Sequence, residues 1–164
     1  MRASIAVCET AIHEMRTQLA PGMTENALWS ILHQVNIALG DEWIETRLLT
    51  SGPKTYLWFQ ESGYRVIENG DLVSFDTDLI GPFGYCADIL RTFLCGDGTG
   101  SDEQRRLYAL AREHLAFNTD ALKPGMTFKE FAEKSLALPE EFQANRYSVI
   151  AHGVGLRSAC RCSL

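Results

Sequence analysis

Asp76, Asp78 and Asp88 lie in the run Ser74-Phe-Asp-Thr-Asp-Leu-Ile-Gly-Pro-Phe-Gly-Tyr-Cys-Ala-Asp-Ile89. Their spacing points to cation chemistry. The run has the form of a β-hairpin: Leu72, Phe75, Leu79 and Ile80 give it strand-like apolar content, and Gly81-Pro82 with Gly84 supplies a turn. Asp76 and Asp78 are two apart, so on a strand they share a face. A turn near Gly81 to Gly84 brings Asp88 opposite that pair. Carboxylates so gathered repel one another and hold their protons tightly unless a cation sits among them. A divalent metal bound by hard oxygen donors resolves that conflict. Asp-x-Asp on a strand also fits a solvated face, and Asp at a hairpin also fits turn chemistry. On the hairpin alone both readings stand.

A second run, Val149-Ile-Ala-His-Gly-Val-Gly-Leu156, is apolar but for one imidazole, and its glycines allow close approach of a backbone or ligand. A histidine in such a run is commonly a core residue bonded to a carbonyl. Beside three carboxylates that need a cation, His152 becomes a candidate fourth ligand. Three Asp and one His suit iron, manganese, cobalt or zinc better than calcium, with iron or manganese favoured by the oxygen-rich set.

These residues carry a family resemblance. Asp88-Ile-Leu-Arg-Thr92 resembles the Asp-Ile-x-Arg-Thr signature of the pita-bread fold, the creatinase and aminopeptidase superfamily that includes Xaa-Pro aminopeptidases and prolidases. Ala151-His-Gly-Val-Gly155 is similar to the segment that gives this superfamily its metal-binding histidine. The resemblance extends to about Leu156 and implies that Asp76, Asp78, Asp88 and His152 are metal ligands. It also implies a homodimeric parent acting on a small-molecule substrate. In the superfamily two glutamates downstream of the histidine complete a two-metal site; here the last acidic residue is Glu141.

Within the superfamily, peptidases place ten residues between their two hairpin aspartates. Here eleven separate Asp76 from Asp88 and nine separate Asp78 from Asp88. The pattern is similar instead to the branch that cleaves dimethylsulfoniopropionate to dimethyl sulfide and acrylate. Glu42-Trp-Ile-Glu45, Ser51-Gly-Pro53, Trp58-Phe-Gln-Glu61 and Arg146-Tyr147 resemble that branch too. The segment Ser51 to Gly63, where peptidases carry a proton-donating histidine, has none. The resemblance implies substrate contacts by Tyr147 and Trp58, and Tyr56, Trp58 and Phe59 offer aromatic faces suited to a sulfonium cation. Each of these aromatics fits a packed core equally well. The branch's presumed base, an aspartate six residues after the histidine, is replaced by Ser158, so no catalytic residue is assigned. Three functions follow: a lyase-type domain inactive as this piece, a Xaa-Pro aminopeptidase or prolidase-like metallopeptidase, or a non-catalytic pita-bread binding module.

The elements that must position these residues are legible in outline. Leu19-Ala-Pro-Gly-Met-Thr24 recurs as Leu122-Lys-Pro-Gly-Met-Thr127, which indicates an internal duplication. Thr24 and Thr127 are natural N-caps, and Thr127-Phe-Lys-Glu130 has capping-box form. Apolar spacing predicts helices over 3–19, 25–39, 102–122 and 128–138, and a strand over 43–50. The fold class is α+β, with duplicated helix-helix-strand halves around a curved, largely antiparallel sheet.

Composition excludes other classes. The 164-residue chain has net charge −6 and pI about 5.2, which argues against nucleic acid and against an anionic membrane surface. No apolar run reaches the roughly 18 residues of a membrane span. Five cysteines at irregular spacing are no disulfide framework, and with no visible signal peptide the expected setting is a reducing cytoplasm. Residues 1–156 read as one partial metalloenzyme domain. The tail 157–164 shows neither strand alternation nor a helical stripe and reads as a frameshifted or truncated end.

Overall fold

The computed structural model describes residues 1–56, 60–156 and the backbone of 160–163. It falls into two compact units: Met1–Thr99 with the described residues of 154–158, and Gly100–Gly153 with the described residues of 159–164.

In the first unit, α1 (Arg2–Gln18) buries Ser4, Cys8, Ala11, Ile12 and Met15, a stripe at three- and four-residue spacing. Helix α2 (Glu25–Ala38) buries Leu28, Trp29, Leu32 and Asn36 on a similar stripe, and Thr24 caps it by accepting from Ala27 N. Both copies of the Pro-Gly-Met-Thr repeat place their glycine in the left-handed region, Gly22 at φ 95° and Gly125 at φ 83°. The turn therefore specifies glycine in each copy, and the second threonine also caps a helix.

The sheet is antiparallel and centred on β3 (Leu72–Ile80). Strand β4 (Cys86–Leu94) pairs with it over its whole length through a short 3-10 turn at Pro82–Gly84. The other edge of β3 takes two short strands, β1 (Trp43–Ile44) and β2 (Leu49–Ser51). The single strand expected over 43–50 is thus broken. Ile44 pairs with Leu79 and Leu49 with Phe75, so five residues on one chain advance against four on the other. The extra residue is a bulge, and it lies beside Asp76 and Asp78.

Odd-numbered β3 side chains build the core: Val73, Phe75, Thr77 and Leu79 are buried with the helix stripes. The Cys8 thiol and the Thr77 hydroxyl share a 3.3 Å hydrogen bond between α1 and β3. Glu25 is the unusual core residue, fully buried at the start of α2. Its Oε1 accepts from Ser51 N (2.9 Å) and Ser51 Oγ (2.8 Å), and its Oε2 from Lys54 Nζ (2.7 Å) and Gly63 N (3.0 Å). Arg65 extends the network by donating to Ser51 Oγ at 2.7 Å and to Asp71 Oδ2 at 2.6 Å. Gly52, at φ 54°, lies against this cluster: a Cβ there would meet Asp71 Oδ1 at 2.5 Å.

In the second unit, α3 (Asp102–Ala121) begins with a capping box between Ser101 and Gln104. Helix α4 (Phe128–Lys134) is shorter than the expected 128–138. Asn118 Oδ1 captures Leu136 N–H at 2.9 Å and Ser135 turns extended, so the chain leaves helical geometry before Pro139. A single turn, α5 (Glu140–Gln143), follows, with Glu141 paired to Arg106 at 2.8 Å. Strand β5 (Val149–Gly153) pairs antiparallel with β6 (Cys160–Ser163), a segment in which the sequence suggested no element. Backbone pairing asks no alternation of its side chains. The architecture is α+β, as expected. No helix among the described residues is long and apolar enough to cross a membrane.

Because Glu25 answers four donors in a dry site, its removal strands them. Glu25→Ala is expected to lower stability by about 3–5 kcal/mol in guanidinium denaturation. Loss of the exposed Lys129–Glu133 pair should cost under about 0.5 kcal/mol. Equal losses from the two changes would show that the buried network does not organise this unit.

Candidate functional site

The even-numbered face of the β3–β4 hairpin carries the aspartates. Asp78 stands directly across from Asp88, and Asp76, across from Leu90, sits diagonal to Asp88. Strand alternation and register together produce this gathering, as the aspartate spacing led one to expect. Asp76 is 8% exposed, and its Oδ1 has no hydrogen-bond partner among the described residues. Burial pushes its carboxyl up to about 8, helped by the charge of Asp88, a hydrogen bond shared with Asp88 and the charge of Asp78.

The other side chains that β3 and β4 place on this face are Leu72, Ser74, Ile80, Cys86, Leu90, Thr92 and Leu94, none of them basic. The nearest strand arginines are engaged elsewhere. Arg91, on the odd face, pairs with Glu9 at 2.6 Å, and Arg47 pairs with Glu61 at 2.9 Å. A fourth carboxylate joins from the bulged edge: Glu45 N–H donates to the Asp78 carbonyl at 2.9 Å, extending the β1–β3 pairing by one residue. Glu45, Asp78, Asp88, Ile80, Cys86 and Ala87 line one shallow groove. The Cys86 thiol is pushed up by burial first, then by the charges of Glu45, Asp78 and Asp88.

Oxygen donors on a face where β3 and β4 place no basic side chain, with Asp76 Oδ1 buried and unpartnered among the described residues, fit a hard divalent ion in donor chemistry. They do not close a ligand set by themselves. Among the described residues no three His, Cys, Asp or Glu side chains are arranged to hold a metal. His152 lies on β5 in the second unit, exposed, its Nδ1 3.3 Å from the Gly153 carbonyl oxygen. Tyr147 precedes β5 outside any strand and is half exposed. Trp58 and Phe59 lie outside the described residues, and Tyr56 is 68% exposed, so it is not a core residue. Sequence reasoning named Glu45 only within the resembling segment Glu42-Trp-Ile-Glu45, without a role, and did not single out the buried Glu25. Alternation from Trp43 could have placed Glu45 on a common face with Asp78 only if the bulge had been known.

Comparisons with known proteins agree on one lineage. The model of a family described as metallopeptidase family M24 matches residues 1–160. The chain is 46% identical over 161 residues to the dimethylsulfoniopropionate lyase DddP of Roseovarius nubinhibens, and 42% identical over 163 residues to that of Roseobacter denitrificans. Each alignment covers 95% of this chain and 36% of the relative, so the chain spans about a third of their length. Among solved structures, the X-Pro aminopeptidase of Thermotoga maritima matches with a TM-score of 0.82 at 25% identity, over 98% of this chain and 46% of its own. The prolidase of Pyrococcus furiosus matches with a TM-score of 0.81 at 25% identity, over 98% of this chain and 48% of its own. These neighbours have the pita-bread fold, and this chain covers about half of the length of each.

Raised carboxyls give the metal-free protein a signed pH response. A carboxyl held above its unfolded value favours the folded state while protonated, and that advantage disappears as pH rises through the folded value. Asp41, whose carboxylate is buried without a partner among the described residues, is pushed up to about 6 by burial, and Asp76 to about 8. Stability should therefore fall from about pH 4 through pH 8, and Asp76→Asn should flatten the part between pH 6 and 8. Melting temperature measured against pH in chelator checks this; an unchanged slope in Asp76→Asn would contradict the crowding described above.

Proposed function

The chain belongs to metallopeptidase family M24, and from that premise we propose that it is part of a metal-dependent lyase domain acting on a small zwitterion of the dimethylsulfoniopropionate kind. The observation that carries the reading is the hairpin face itself, Asp-x-Asp with Asp78 opposed to Asp88; its spacing resembles that of the lyase branch rather than the peptidases. The relatives described as lyases and the absence of histidine between Ser51 and Gly63 support it.

In this reading Asp76, Asp78 and Asp88 hold a divalent transition metal, iron by preference and otherwise manganese, cobalt or zinc. His152 joins them on the strength of its His-Gly-Val-Gly motif alone. Such an ion, when bound, would supply Lewis acidity that acidifies the C–H beside the substrate carboxylate. Removal of that proton forms the carbon–carbon double bond and expels the C–S electron pair as dimethyl sulfide, leaving acrylate and one proton. Tyr147 and Trp58 would bind the substrate, aromatic side chains being suited to a sulfonium cation. Ser158, in the place of the branch's presumed base, is no base at neutral pH, and no residue is assigned to proton removal.

A peptidase reading is favoured by the shared fold of the Xaa-Pro peptidases. The two readings separate in calorimetry of the Mn²⁺-loaded chain. Dimethylsulfoniopropionate is expected to bind only when metal is present, with release of dimethyl sulfide at most a trace in headspace gas. Tighter binding or hydrolysis of the dipeptide Ala-Pro would favour the peptidase and overturn the lyase.

A further inference from the structure

We propose that Glu45 reads the positively charged end of the substrate and so determines specificity for a zwitterion over a plain carboxylate. The inference rests on the lyase reading and extends it to a residue at the edge of the site.

The argument is one of charge and place. Glu45, Asp78 and Asp88 form a row across three adjacent strands, fixed by the Glu45 N–H bond to the Asp78 carbonyl and by the Asp78–Asp88 register pair. The row has a buried side and an exposed side. Asp76, on the same face, is more than nine-tenths buried with Oδ1 lacking a partner, which marks where a cation would be drawn in. Glu45 is exposed at the β1 edge of the groove, and its carboxylate has no hydrogen-bond or salt-bridge partner among the described residues. Arg47, its neighbour beyond one residue, is committed to Glu61 at 2.9 Å.

Adjacent strands lie about 4.8 Å apart. A substrate whose carboxylate is held at the β3–β4 aspartates would therefore present a charge two methylenes away near β1. A carboxylate there attracts a sulfonium and gives nothing to a neutral branched carbon of the same shape. The bulge beside Asp76 and Asp78 turns this edge strand, and such irregularities re-aim side chains next to sites.

The test compares dimethylsulfoniopropionate with 4-methylpentanoate, in which a C–H replaces the sulfonium. Both are titrated into the Mn²⁺-loaded chain and into Glu45→Gln. Wild type should prefer the zwitterion by about fivefold, the worth of one exposed charge pair, and that preference should shrink as salt is added. Glu45→Gln, saturated with Mn²⁺, should bind the two ligands within about twofold of each other. An intact preference in Glu45→Gln would overturn the proposal while leaving the lyase reading standing. So would loss of Mn²⁺ from the variant, which would make Glu45 a metal ligand. Failure of wild type to bind either Mn²⁺ or the zwitterion would overturn both.

Discussion

Like-charge repulsion on one face of a hairpin is the constraint around which the first unit is arranged. Antiparallel register sets Asp78 against Asp88, and burial denies Asp76 the water that would screen it. Two outcomes relieve such a face: proton uptake, which burial of the Asp76 carboxyl favours, or capture of a cation. No basic side chain from β3 or β4 does so, because Arg91 belongs to the opposite face and is engaged by Glu9. A purely structural sheet would gain from a lysine or a neutral residue at any of these positions.

The rest of the unit holds that hairpin still. Its odd face is packed by Val73, Phe75, Thr77 and Leu79 under the two helices, which prevents a register slip that would turn the aspartates inward. The Glu25 network joins the start of α2 to Ser51, Lys54 and Gly63, tying the end of β2 to the segment that returns from it. Between β1 and β2 the bulge absorbs one extra residue. Glu45 thereby stays in register with Asp78 while Leu49 stays in register with Phe75.

Much of this was legible in the residues. Spacing of two within Asp-x-Asp, and a turn of Gly81-Pro82 and Gly84, define the hairpin and its loaded face. The repeated Pro-Gly-Met-Thr fixed two helix starts, since glycine and a threonine cap act locally. What stayed hidden depends on pairing across distance. The bulge is defined only against β3, and α4 stops early because Asn118, far along the chain, takes Leu136 N–H. Glu25 looks in sequence like an acid in a first helical turn, a normal surface choice. Only the assembled donors of Ser51, Lys54 and Gly63 explain its burial. β6 has no side-chain alternation to read in the sequence, and it is defined by its backbone register with β5.

The central claim is that the Asp76–Asp78–Asp88 face takes a divalent cation in place of a proton. Calorimetric titration of the chain with Mn²⁺ at pH 7, repeated in buffers of different ionisation enthalpy, counts both ions bound and protons released. The account predicts one ion per chain with release of a proton fraction that disappears in Asp76→Asn, because Asp76, pushed up to about 8, would lose its proton to the buffer as the metal takes its place. Binding without proton release, or binding unaffected by Asp76→Asn, would contradict it.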